Sequence, residues 1–242
     1  LNYKVINTSY VGMGPLSQLA TLREYYSIAD PKIVLWFYSE GNDLFNLNFE
    51  LKEQILKNYL SNPKFTQNLI NRQKEIDNIN FKILEDEIDR RKKQHYKIYT
   101  DALKLATLRS LLIERFFKAE EYKEISYSHN LKNFEKILLN AQSFLKANDT
   151  KLIMVYTPQI FRYMDKKNQQ KMKHYLKDYQ NVISIFERNN IEYLDLNKII
   201  FSKLDDPLDY YPFRSPGHFN EKGYDLVSKE INNFLNINYG VL

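Results

Sequence analysis

Apolar residues along the chain fall into two kinds of run. Four runs are short and nearly continuous: Tyr3 to Ser9 (YKVINTS), Ile33 to Tyr38 (IVLWFY), Leu152 to Thr157 (LIMVYT) and Ile191 to Leu196 (IEYLDL). Their β-branched and aromatic content predicts strands covered on both faces, as in a parallel sheet. The other runs recur at helical spacing: Leu16 to Ser27 behind Pro15, Leu131 to Asn148, Gln169 to Asn189, and Asn220 to Leu235. Strand and helix alternating in this order predict an α/β fold, with right-handed crossovers and a three-layer α/β/α sandwich.

From Phe45 to Ser128 the rhythm breaks. There is no strand signal, only amphipathic and heavily charged helix patterns such as ILEDEIDRRKKQHYK and LKLATLRSLLIERFF. Such charge runs read first as solvated helix faces laced with i,i+4 pairs. No repeat, Gly/Ser linker or low-complexity tract separates this stretch, so it reads as a helical insertion, 45–128, within one domain spanning 1–242. Its place after a strand end would set it over the carboxyl edges of the strands, where open α/β sheets bind ligands. It is the expected lid or protein-docking surface.

Composition narrows the class. With 242 residues and 43% apolar content, the chain can bury one sizeable core. No stretch approaches the roughly 18 consecutive apolar residues of a membrane-spanning helix, and no charged-then-apolar leader opens the sequence. The absence of cysteine excludes disulfides, thiol nucleophiles and thiolate zinc sites, and assigns no compartment. A net charge of +5 arises from 35 basic residues interspersed with 30 acidic ones, which argues against a nucleic-acid partner. The first residue is Leu and a strand pattern follows at once. The expectation is that an earlier part of the domain precedes it, and with it an export leader or membrane anchor is compatible.

Three loops behind predicted strands carry unusual residues. Asn7-Thr8-Ser9-Tyr10-Val11-Gly12-Met13-Gly14-Pro15 holds two of the six glycines ahead of a helix, where bare N–H groups can approach a ligand. Gly41-Asn42-Asp43 ends the run WFYSEGNDL; it reads either as an ordinary turn or as a site where a fixed Asn42 amide donates to an oxyanion. Ser215-Pro216-Gly217-His218-Phe219-Asn220-Glu221-Lys222-Gly223-Tyr224 places a histidine in a Pro-Gly loop before the last helix, suited to general-base work near neutral pH. His95 and His174 lie in charged helix patterns and His129 in a polar connector, and all three read as solvent-exposed. Neither a cofactor nor a metal is expected, since HxH, HExxH and a carboxylate cluster at ligand spacing are missing, as are a P-loop lysine and a dinucleotide fingerprint beside GMGP.

In this order the three loops resemble the SGNH (GDSL-type) hydrolases, a flavodoxin-like α/β family of esterases, lipases and carbohydrate O-acyl hydrolases or transferases. NTSYVGMGP is similar to the family's second block, which implies that the Gly12 N–H is one oxyanion donor. IVLWFYSEGNDL is similar to its third, which implies that Asn42 is the other. PGHFNEKGYDLVSKEI is similar to its last, which implies that His218 is the base. Outside the insertion the resemblance covers most of the chain.

The chain also departs from the family. No Gly-Asp-Ser occurs, so the family's nucleophilic serine and its strand are expected upstream of Leu1; Ser9 and Ser39 are the nearest in-chain serines and lack a nucleophile-elbow context. The acid expected three residues before the histidine is Ser215, which leaves a Ser-His dyad or help from Asp205, Asp206 or Asp209. Glu40 stands where the family more often has glycine. The resemblance implies an esterase or O-acyl (acetyl) transferase acting on small O-acyl esters or acylated glycans. The alternative is a catalytically silent relative that uses the insertion for binding.

Overall fold

The computed structural model describes residues 4–103, 127–171 and 173–240. The chain divides into two compact units, one of residues 1–66 and 125–242, the other of 67–124. The predicted helix-rich stretch from 104 to 126 lies outside the described residues.

The first unit is a mixed α/β structure on a three-stranded parallel sheet, β1 (Ile33–Ser39), β2 (Lys151–Thr157) and β3 (Glu192–Asp195), in the order β1-β2-β3. β2 has a partner on each side, and Leu152 to Tyr156 is buried without a break. An unbroken apolar run is what a central parallel strand needs, because both faces meet helices. In β1 the period-two alternation separates the faces. Trp36 and Tyr38, level with Met154 and Tyr156, turn to one core; Leu35, level with Ile153, turns to the other.

The first core is roofed by α1 (Pro15–Ala29), α5 (Leu131–Ala147) and α8 (Tyr179–Arg188), with α2 (Asp43–Glu50) and α3 (Gln54–Ser61) beside them. α5 buries Phe134, Ile137, Leu138, Ala141 and Leu145, the i, i+3, i+4, i+7, i+11 stripe of a one-faced helix. α8 does the same with Val182, Ile183, Ile185 and Phe186. On the opposite face Val155 meets Leu196 of α9 (Leu196–Ile199), Phe201, Tyr211, Phe219 and Val227 of α10 (Glu221–Tyr239). Helices on both faces make three layers within this unit.

Two expectations are corrected. The run Tyr3 to Ser9 forms no strand over its described part: residues 4–10 have no regular structure and lie exposed, with Val5 81% accessible. Asn7 Oδ1 accepts from the Ser9 N–H at 2.9 Å and from its hydroxyl at 2.6 Å. Such a local side-chain turn competes with strand pairing. The pattern Gln169 to Asn189 is not one helix either. It is interrupted by a turn at Lys177 and Asp178, with α6 (Lys166–Lys171) and α7 (Lys173–Leu176) before it and α8 after it, and there the buried Asp178 carboxylate accepts from the Ser128 hydroxyl at 2.7 Å.

In the second unit, α4 (Gln73–Leu103) is solvated along its described side chains. Glu87 takes bidentate bonds from Arg90 and a further one from Arg91. Ile79, Phe81, Ile83, Leu84 and Ile88 are exposed on the same helix. Among the described residues no helix is long and apolar enough to cross a membrane.

Candidate active site

Because the strands are parallel, their carboxyl ends share one rim. β1 reaches it at Ser39. There the Asn42 N–H donates to the Ser39 carbonyl at 3.1 Å, closing a four-residue turn whose third member, Gly41, has φ +86°. A positive φ at that position selects glycine. Asn42 then begins α2 as its N-cap, and its carbonyl accepts from the Asn46 N–H at 2.7 Å. The Asn42 side chain makes no capping bond and is exposed, so the amide stands free at the rim.

A second turn of the same kind precedes α1. The Met13 N–H donates to the Tyr10 carbonyl at 3.3 Å, and Gly12 at the third position has φ +80°. The Gly12 N–H belongs to the central peptide of that turn, which takes no part in the closing bond.

The two turns are fastened together through α2. Asn46, one helical turn beyond Asn42, donates its side-chain amide to the Met13 carbonyl at 3.4 Å. Glu50 at the far end of α2 accepts from the N–H groups of Gly14 (2.9 Å), Leu16 (2.9 Å) and Ser17 (3.1 Å). These are donors that a helix start leaves unpaired, and a carboxylate also suits the positive end of the helix dipole. A Cβ on Gly14 would lie 2.6 Å from Glu50 Oε2 and 2.8 Å from Asn46 Cβ, so residue 14 must be glycine for the helices to meet. Within GMGP the Gly14 amide is thus taken by the chain's own carboxylate and the Met13 amide by the Tyr10 carbonyl, which leaves too few donors for a phosphate cradle.

His218 arrives from the third loop. Tyr211 donates its hydroxyl to the Pro158 carbonyl at 3.3 Å, just beyond the end of β2. Asn220 N–H donates to the Tyr210 carbonyl (2.9 Å), Asn220 Nδ2 to the Asp209 carbonyl (2.7 Å), and Asn220 Oδ1 caps α10 by accepting from the Gly223 N–H (3.0 Å). Phe219 stacks on Phe201 with centroids 4.8 Å apart. The exposed His218 sits on this fastened loop. No described carboxylate bonds its imidazole, because Asp206 and Asp209 are both engaged by Arg214. Arg214 holds the Asp206 carboxyl below its usual range. Ser215 is exposed, the Ser9 hydroxyl is spent on Asn7, and Ser39 ends β1. His129 is exposed and lies 3.2 Å from Asn48 Oδ1.

Two buried acids at the rim escaped the sequence reading. Glu40 is 1% exposed and accepts from Tyr156 Oη (2.6 Å), the Gln159 N–H (3.0 Å) and Arg162 Nε (2.7 Å), with a further bond from Arg162 Nη2. Arg162 in turn lies over the Tyr179 ring, 4.3 Å from its centroid. Glu40 therefore clamps the ends of β1 and β2, its side chain turned inward while Gly41 takes the positive φ. The signal was a charge ending an apolar run, which demands a partner when buried; the partner, far along the chain, was illegible. Asp43 is 2% exposed, and its Oδ2 has no partner among the described residues. Burial pushes its carboxyl well above the ordinary value, the nearby Ser39 backbone amide opposing and nearby Glu50 adding to the rise. Burial likewise raises the Tyr38 phenol, with Asp43 and Glu40 adding.

No family model, curated protein or solved structure matched the chain when it was compared with them.

Proposed function

We propose that the protein is a serine ester hydrolase or O-acyl (acetyl) transferase of the SGNH type on a flavodoxin-like sheet. One observation carries the reading: two glycine turns stapled to a single helix leave the Gly12 N–H and an uncapped Asn42 amide free at the same sheet rim. Strand order β1-β2-β3, with α5 and α8 on one face and α10 on the other, supports the flavodoxin-like part of the reading.

In this reading a serine oxygen attacks the acyl carbonyl and gives its proton to His218. The Gly12 N–H and Asn42 amide hold the tetrahedral oxyanion. Collapse breaks the ester C–O bond, His218 returns the proton to the leaving alcohol, and water or a sugar hydroxyl then takes the acyl group. The serine comes from a strand outside residues 1–242 that adds to β1. Support for this is that β1 pairs only with β2 among the described residues, and that Phe37 on it is 45% exposed. The test is hydrolysis of p-nitrophenyl acetate, and labelling by a fluorophosphonate, with the natural full-length protein. Turnover and labelling that fall in Asn42→Ala and His218→Ala support the reading; no labelling of well-folded protein contradicts it.

A second reading rests on α4. Ile79 and Ile83, and Leu84 and Ile88, are exposed pairs at i,i+4, with Phe81 three residues before Leu84. Acidic residues Glu85, Asp86, Glu87 and Asp89 are followed by basic Arg90, Arg91, Lys92 and Lys93. An antiparallel second copy of α4 would set each block against its opposite. In this reading the protein is a binding or assembly protein that self-associates through α4. Dimeric protein in sedimentation, made monomeric by Ile83→Asp, supports it; a monomer at high concentration contradicts it.

A further inference from the structure

Phe213 combines two unfavourable features. Its side chain is 99% exposed, although a ring of that size gains about 1.5–3 kcal/mol when buried. Its backbone has φ +53°, and Arg214 after it has φ +54°. Side-chain-bearing residues in this region cost on the order of 1–3 kcal/mol each, and they persist where surrounding bonds enforce them and cluster at ligand clamps.

The enforcing bonds are present. Arg214 Nη2 binds Asp206 Oδ2 at 2.6 Å and Nη1 binds Asp209. The Arg214 N–H donates to the Tyr211 carbonyl at 3.2 Å and the Ser215 N–H to the Pro212 carbonyl at 3.0 Å. Tyr211 is fastened to Pro158 at the end of β2. A flat apolar face is therefore held in water on a loop pinned by the Arg214 ion pairs, five residues before His218.

We propose that Phe213, on the loop that Asp206, Asp209 and Arg214 pin in place, is a subsite for a sugar ring of the substrate, an inference that rests on the ester-hydrolase reading. A pyranose has a flat C–H face and a rim of hydroxyls; the first suits an aromatic face. Hydroxyl pairs on the rim suit charged donors and acceptors. An aliphatic acyl chain is served by an enclosing channel, which a ring standing free in solvent does not provide. An anionic membrane is disfavoured by the carboxylates of the same loop, Asp206 and Asp209.

The test is titration of the full chain with chitotetraose and with xylotetraose, read by saturation transfer to the sugar ring protons and by calorimetry. At least one sugar is expected to bind, Phe213→Tyr to keep that binding, and Phe213→Ala to weaken it about fivefold or more, as loss of one stacked ring implies. Arg214→Ala, which unlocks the loop, is expected to weaken it as well. Equal binding by Phe213→Ala, binding of neither sugar, or Phe213-dependent binding only to phosphatidylglycerol vesicles overturns the proposal. Phe213-dependent sugar binding in a protein without ester turnover supports the subsite and overturns the ester reading.

Discussion

Among the described residues Asp43 Oδ2 is buried without a partner, one position after the amide that the proposed oxyanion hole needs. Since burial raises its carboxyl in the folded protein, the unfolded chain ionises first as pH climbs. The contribution of Asp43 to stability is then fully present below the ordinary carboxylate value and is lost as pH rises toward the folded one. Asp43→Asn is expected to remove this loss, so that urea melts from pH 5 to 8 show the variant gaining on wild type as pH rises; parallel profiles contradict the assignment. Asn42 makes the complementary case. An N-cap asparagine replaced by alanine ordinarily costs about 1 kcal/mol, yet this side chain caps nothing. Asn42→Ala is expected to shift stability by less than about 0.5 kcal/mol, within the range of neutral surface changes. Ester turnover should fall about 10²–10³-fold, the usual loss of one oxyanion donor. The WFYSEGND run was readable because a positive φ requirement writes itself as glycine. Neither the solitude of Asp43 nor the engagement of Glu40 by Arg162 was readable, because both depend on what folding brings beside them.

At the scale of elements, the rim is organised by α2. Glu50 links it to the start of α1, and Glu40 links the ends of β1 and β2. Glu50→Ala strips the partner from three backbone donors, and unsatisfied buried donors cost about 1–3 kcal/mol each before relaxation. A loss of about 3 kcal/mol in urea unfolding is expected, with Glu50→Gln intermediate; a change near zero would show that water replaces the carboxylate freely. Removing Glu40 leaves Arg162 half-buried and unpaired, and about 3 kcal/mol is expected from Glu40→Ala as well. Helical spacing identified α1, α5 and α10 because each has one buried stripe. It misjudged Gln169 to Asn189, where polar spacing continued through a turn fixed by a tertiary bond from Ser128 to Asp178. It also misjudged Tyr3 to Ser9, whose β-type composition meets no described strand edge and is answered locally by Asn7.

For the first unit as a whole, the turn at residues 10–13 is tied to α2 behind the end of β1, and the loop at 210–220 is tied through Tyr211 to Pro158 beyond the end of β2. The second unit contributes α4 with its own exposed apolar residues, and its sedimentation test is independent of the rim. The account depends on Gly12, Asn42 and His218 gripping one oxyanion and its proton. The most direct measurement is a nitrogen-resolved NMR titration of the chain with methylphosphonate, a tetrahedral anion that mimics the reaction intermediate. Shifts of the Gly12 amide, the Asn42 side-chain amide and the His218 ring along one binding isotherm are predicted. Titration of any of these with another left unmoved, or with separate affinities, contradicts it.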